Sequence, residues 1–219
     1  SDVCSSDLTI FGYKHWRKVV GFHTRNVPHR AHEFLQLSAL RERHCDGIFV
    51  HPVIGPKKSG DYCGEIIVRA YDSLISHHYP ANSAIVSGFW TYSRYAGPRE
   101  ALFTALCRQN FGCSHFIVGR DHTGVGNFYT ADASRRFVDS LAADVGIEPV
   151  FCDEVYYCME CKNHVTTCPH GTEHATSISG TEARNTLKQG KMLPDWFVRE
   201  QVSDIILNDL KNGTAVFVD

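Results

Sequence analysis

The chain has 219 residues, enough to bury one large core with at most a small appendage. Its 22 basic and 24 acidic side chains nearly cancel, so no global field points to nucleic acid or an anionic membrane, and any anion site must be local. No apolar run has the length of a membrane span and no charged-then-apolar leader is visible. The nine cysteines, some inside apolar runs as at Cys107 and Cys113, point to reduced thiols in a cytoplasmic protein, with clustered ones reserved for metal.

Residues 1–8, SDVCSSDL, resemble the translated end of a short-read sequencing adapter, which sets them apart from the fold and implies a chain truncated before Thr9. From Lys14 onward strand and helix alternate. RKVVGF reads as a strand and HRAHEFLQLSALRER as a helix with Phe34, Leu35 and Leu40 at helical spacing. GIFVHPV is a buried strand, followed by the turn-rich loop IGPKKSGDYCG and a helix through EIIVRAYDSLISHH. Then come a strand SAIVSGF, a helix from Pro98, a strand HFIVG and a helix ADASRRFVDSLAADV. Apolar strands separated by amphipathic helices predict an α/β fold, a doubly wound parallel sheet of Rossmann-like type. In such sheets ligands bind beyond the carboxyl ends of the strands, where HTRNVPH, GPKKSGD, YSRYAGPRE and GRDHTGVGN fall after successive strands.

The first of these loops concentrates His23, Arg25, Asn26, His29 and His32 at a strand-to-helix junction. With Pro28 suited to the first helical turn, His29 and His32 lie three apart on one face, where open backbone N–H groups and the helix dipole favour an anion. A solvated helix face is the plain alternative; a zinc-protease pair is excluded, because those histidines stand four apart around a glutamate. In GRDHTGVGN the glycines let backbone N–H groups approach an anion, Arg120 and His122 add charge, and Asp121 suits a ribose hydroxyl. ISGTEAR places Ser179 and Thr181 to cap a helix with Arg184 one turn in.

A separate signal is YCMECKNHVTTCPHGTEH. Cys158 and Cys161 form a CxxC, Cys168 follows, and His170 or His174 can complete a tetrahedral zinc set. A redox or free-thiol pair is the competing use. A nucleic-acid ribbon is disfavoured, since Lys162 is the one nearby cation.

HTRNVPHRAH, RYAGPRE, GRDHTGVGNF and ISGTEAR together resemble, in order and spacing, the signatures of the ATP sulfurylases, members of the nucleotidylyltransferase superfamily. The resemblance runs from about Val19 to about Leu207. It implies a catalytic domain over residues 9–150 and a small C-terminal α/β domain over 151–219 holding the metal site and ISGTEAR. It implies ATP, entering with Mg2+, and sulfate as substrates, and adenylylsulfate with pyrophosphate as products. It further implies a structural zinc, a homo-oligomer, and an N-terminal domain that is absent here. Thr24, Arg25 and Asn26 match the family's sulfate-gripping stretch, and His29 and His32 its triphosphate pair. Gly119, Arg120, Asp121 and His122 match its nucleotide block, with Val155 near the adenine. Two other function classes fit the same residues: a transferase of this fold acting on another acceptor, and a nucleotide-binding paralogue without turnover.

The chain departs from the pattern in three places. His23 stands where the family has Gln, Val27-Pro28 delays the proline by one residue, and Thr123 replaces a small alanine. His23 either donates to the acceptor oxyanion, gaining a second donor when protonated near its ordinary pKa of about 6.5, or packs into the sheet.

Overall fold

A computed structural model describes residues 9–119, 128–141 and 144–219. Five parallel strands form the main sheet: β1 (Val19–Thr24), β2 (Gly47–Pro52), β3 (Ala84–Val86), β4 (His115–Val118) and β5 (Glu148–Phe151). Their order is β3-β2-β1-β4-β5, so β1 pairs with β2 on one side and β4 on the other. The connecting helices are α1 (Arg30–Glu42), α2 (Gly64–His78), α3 (Pro98–Asn110) and α4 (Ala133–Ser140). This is the predicted doubly wound α/β architecture. β5 was not among the predicted strands: EPVF carries a proline and a charge, and has two neighbours' worth of apolar pattern only at its end.

Alternation along the strands divides the core in two, because successive strand side chains point to opposite faces. Val20 and Phe22 of β1, Ile48 and Val50 of β2 and Ile117 of β4 face α1 and α2. Val19, Phe49, Phe116 and Val118 face α3 and α4. Fully buried side chains such as Phe49 and Ile67 contribute about 1.5–3 kcal/mol each. The helices of the first half therefore cover one face and those of the second half the other. The reversal falls between β1 and β4, the place where such sheets open a ligand crevice.

The remainder of the chain returns to the first face. α5 (Gly180–Lys188) and α6 (Glu200–Lys211) insert Ala183, Leu187, Val202 and Ile206 into the core beside α2. Arg69 grips Asp209 through two hydrogen bonds of 2.6 and 3.2 Å. Between β5 and α5 lies a small antiparallel sheet of β6 (Tyr156–Cys158), β7 (Asn163–Val165) and β8 (Ala175–Thr176), with β6 central. Neither this sheet nor α6 was predicted from the sequence. No disulfide links the described cysteines. No described helix is long and apolar enough to cross a membrane.

One core residue breaks the apolar rule. His51, at the end of β2, has no solvent exposure and lies among the rings of Phe49, Phe89 and Phe111. Neither of its ring nitrogens has a hydrogen-bond partner. Burial, reinforced by the nearby Arg108 cation, pushes its pKa down to about 2. The folded ring stays neutral while the unfolded ring takes up a proton below its ordinary pKa, so stability is full above about pH 6.5 and declines as acid is added. His51→Phe is expected to reduce the fall in melting temperature between about pH 7 and about pH 5. An unaltered fall would show that His51 does not contribute to acid sensitivity.

Candidate active site

Described residues at the carboxyl ends of β1, β4 and β5 and after β3 line a cavity of about 550 Å³ above the β1–β4 seam. His23, Thr24, Arg25 and Asn26 line it from β1, and His29 and His32 from the start of α1. Ser93 and Tyr95 enter after β3, Gly119 after β4, and Asp153, Glu154 and Val155 after β5. The loop after β2 braces this wall from behind: Lys57 Nζ donates to the Arg25 carbonyl at 3.1 Å, and Lys58 lies 3.6 Å above the Tyr95 ring. Arg120, Asp121, His122 and Thr123 lie outside the described residues.

Thr24 closes the β1 loop on itself, its hydroxyl accepting the Asn26 N–H at 3.2 Å. That turn puts Arg25 at the mouth, where its Nη1 donates to the Tyr95 hydroxyl at 2.5 Å and its guanidinium stacks near the same ring. Tyr95 is presented by RYAGPRE. The buried Glu100 carboxylate accepts the N–H groups of Arg94 and Ala96 at 2.8 and 3.1 Å, drawing the chain into a tight turn ahead of Pro98, the first residue of α3.

His29 is the N-cap of α1, its Nδ1 accepting the backbone N–H of His32 at 3.3 Å. The helix thus starts one residue later than expected, and Pro28 stands before the cap and not in the first turn. The cap bond uses Nδ1 as acceptor, so the proton of the neutral His29 ring sits on Nε2. His29 and His32 stack at 3.6 Å, Phe197 stacks on the outer face of His29, and the Tyr71 hydroxyl lies 3.3 Å from His32 Nδ1. Burial pushes His29 down to about 4, with His164 adding to the effect, and burial together with His29 drives His32 well below 6.5. The pair is therefore two neutral imidazoles, and among the described residues lining this wall the fixed cation is Arg25.

Ser179 caps α5 by accepting the Glu182 N–H at 3.2 Å, as the sequence suggested, whereas Thr181 sits inside the helix and accepts from Arg184. Arg184 lines a second cavity, of about 140 Å³, that shares Asn26 and His29 with the first. The two cavities adjoin along these residues.

His23 faces the cavity but does not act as expected. Arg108, on α3 and wholly buried, donates from Nη2 to His23 Nδ1 at 2.8 Å. A guanidinium only donates, so Nδ1 is an acceptor and has no place for the second proton imagined for it. Arg108 gave no signal in the sequence, where it reads like any arginine of an amphipathic helix.

In the small sheet, the ligand atoms of Cys158, Cys161, Cys168 and His170 all lie within 4.8 Å of one another. His170 Nδ1 is 3.6 Å from Cys158 Sγ and 3.3 Å from Cys161 Sγ. Ligands at zinc bond lengths of about 2.0–2.3 Å in a tetrahedron stand about 3.5 Å apart, so the set has the spacing of a metal site. His174 does not join it; its ring pairs with Glu160 and Glu173.

A profile of the ATP-sulfurylase family matches residues 8–209 of this sequence. The chain belongs to that family. The sulfate adenylyltransferase of Staphylothermus marinus is 46% identical over 201 residues, which cover 91% of this chain and 52% of that protein. The sulfate adenylyltransferase of Ignicoccus hospitalis is 44% identical over the same shares. The chain spans about half the length of the curated relatives it matches. Among solved structures, the hexameric APS kinase from Thiobacillus denitrificans superposes with a TM-score of 0.74 at 20% identity, over 94% of this chain and 39% of that one. A bifunctional NMN adenylyltransferase/ADP ribose pyrophosphatase from Francisella tularensis gives a TM-score of 0.55 at 10% identity, over 89% and 50%. These likenesses are of fold.

Within this ATP-sulfurylase fold the RYAGPRE turn has a strict backbone requirement. Gly97 has φ 53° and ψ −121°, and a Cβ there would lie 2.4 Å from the Tyr129 ring. Gly97→Ala is expected to cost about 1–3 kcal/mol. A chemical denaturation curve unchanged from wild type would contradict this account of the turn.

Proposed function

We propose that this chain carries the catalytic centre of a sulfate adenylyltransferase. The reaction is ATP plus sulfate giving adenylylsulfate plus pyrophosphate, with ATP entering as its magnesium complex. The observation that carries the reading is the joining, in an ATP-sulfurylase chain, of one cation and two preorganised imidazoles on one wall of a cavity at the sheet's switch point. Arg25 holds sulfate as a two-pronged partner, aided by Thr24, Asn26 and His23. His29 and His32 take the triphosphate, and Arg184 reaches it from the adjoining cavity. By the family resemblance Gly119, Arg120, Asp121, His122 and Thr123 bind the nucleotide, with Val155 near the adenine. The acidic pair Asp153 and Glu154 favours this polarity, because carboxylates repel phosphates and suit the uncharged end.

A sulfate oxygen attacks the α-phosphorus in line, a phosphorus–oxygen bond forms, and the bond to the β-phosphate breaks. Sulfate has no proton to remove, so no general base is needed. The work consists of holding two repelling anions together and stabilising the charge that develops on pyrophosphate. The neutral state of His29 suits this role: an Nε2–H in a cleft donates without carrying a charge that would hold the product.

The metal-ligand set fits zinc, with Cys158, Cys161, Cys168 and His170 as ligands and His174 outside them. Closed by four protein ligands, such a site has no open position and supplies structure alone. It would hold the β6–β8 sheet in place between β5 and α5, in a C-terminal segment whose α5 and α6 share the core of the main sheet. A homo-oligomer in the cytoplasm is the expected context.

The deciding assay is pyrophosphate release from Mg·ATP, with and without sulfate, by the full-length protein that carries this chain. Release that depends on sulfate is expected; release independent of sulfate, or none, would overturn the reading. His29→Ala and His32→Ala should each lower turnover by roughly 100-fold. Near-normal turnover in both would return the pair to a structural cap. Metal analysis should find about one equivalent of zinc per chain, and Cys161→Ser should lower both zinc content and thermal stability. Metal-free protein that melts normally would contradict the site.

A further inference from the structure

Arg108 is unusual among the buried residues. The α3 helix delivers it under β1, and β1 makes room with a glycine: a Cβ on Gly21 would lie 2.8 Å from Arg108 Cγ. The guanidinium rests 4.6 Å from the Phe89 ring centre. Its Nη2 donates to His23 Nδ1 at 2.8 Å and to the His51 carbonyl at 2.9 Å, Nη1 reaches the Thr104 carbonyl at 3.4 Å, and Nε has no partner. Among the described residues no carboxylate pairs with it. Burying a cation without a counter-charge costs stability that an apolar side chain of similar volume would not. The contact that such a residue makes at the edge of a cavity therefore calls for a functional account.

We propose that Arg108 is a positioning residue that locks His23 into a single tautomer, so that Nε2–H becomes a fixed donor to the anion held in the cavity. The argument is one of hydrogen-bond capacity. A neutral imidazole partitions between two tautomers, whereas arginine has five donors and no acceptor. With Nη2 against it, Nδ1 must present its lone pair, and the ring proton resides on Nε2. His23 lines the cavity beside Arg25, so a proton fixed on Nε2 is preorganised for an oxyanion. The charge of Arg108 behind the ring, which no described carboxylate pairs, strengthens that N–H through the imidazole and supplies a field of the right sign to the cavity floor. This inference rests on the reading of the cavity as an oxyanion site.

The experiment separates the two ideas. In 15N-histidine-labelled protein, long-range 1H–15N correlations identify each tautomer, and sodium sulfate is then titrated in. His23 is expected as the pure Nε2–H form, with resonances that move on adding sulfate. Arg108→Met should release it into a mixture of tautomers. The same substitution should raise KM for sulfate about tenfold or more, the scale of one lost charge-assisted hydrogen bond, with a smaller change in KM for ATP. In a His23→Gln background, where the donor does not depend on tautomer, Arg108→Met should change KM for sulfate little. A mixed or Nδ1–H form in the wild-type protein overturns the role of Arg108, even if the variant does not fold, and leaves the oxyanion reading standing. A pure Nε2–H form that ignores sulfate overturns the oxyanion reading and the donor role together.

Discussion

Parallel pairing on both sides of β1 is the constraint from which the rest of the site follows. A strand hydrogen-bonded to β2 and β4 has its loop leaving at the same edge as theirs, and the two halves of the chain then cross back over opposite faces of the sheet. The connections from β1 and β4 lead to helices on opposite faces of the sheet, and the cavity lies at the carboxyl ends of these two strands. What occupies its rim is decided locally: a Thr24 turn that throws Arg25 outward, a cap that fixes His29, and a carboxylate-braced turn that presents Tyr95. None of these devices depends on a mobile side chain finding its place after the ligand arrives. The geometry is already made by backbone hydrogen bonds.

Electrostatically, the site differs from a simple patch of positive charge. The two histidines that invite that interpretation are neutral, because burial removes the water that would stabilise their charged forms. Arg25 supplies the local cation, with Lys57 and Lys58 behind it; burial lowers Lys57 to about 8. Such a graded arrangement suits the proposed reaction, in which two anions are held together and two anionic products leave. A denser cluster of permanent charge would hold ground states and products as firmly as the transition state.

Much of this was legible in the sequence, for identifiable reasons. The strands of the main sheet that lie centrally are nearly continuous apolar runs, and the loops at their carboxyl ends carry residues that a solvated turn does not require. Ser179 was readable as a cap because a hydroxyl followed by a glutamate is a local signal. The start of α1 was misread by one residue, since histidine is an uncommon cap and Pro28 offered the more familiar reading. β5 and the small β6–β8 sheet escaped notice because their strands are short and their pairing is non-local. Arg108 and Tyr71 were invisible for a related reason. Each acts across the fold, on a residue far away in sequence, and no spacing rule connects Arg108 with His23 or Tyr71 with His32.

The central claim is that this cleft joins two anions directly, with the protein holding and stabilising and never itself becoming bonded to the nucleotide. Stereochemistry at phosphorus tests this without reference to any single residue. Full-length protein given ATP made chiral at the α-phosphorus by a single sulfur, together with sulfate, should yield a product whose phosphorus configuration is inverted, the mark of one in-line displacement. Retention of configuration would require two displacements through a covalent enzyme intermediate, and would contradict the account.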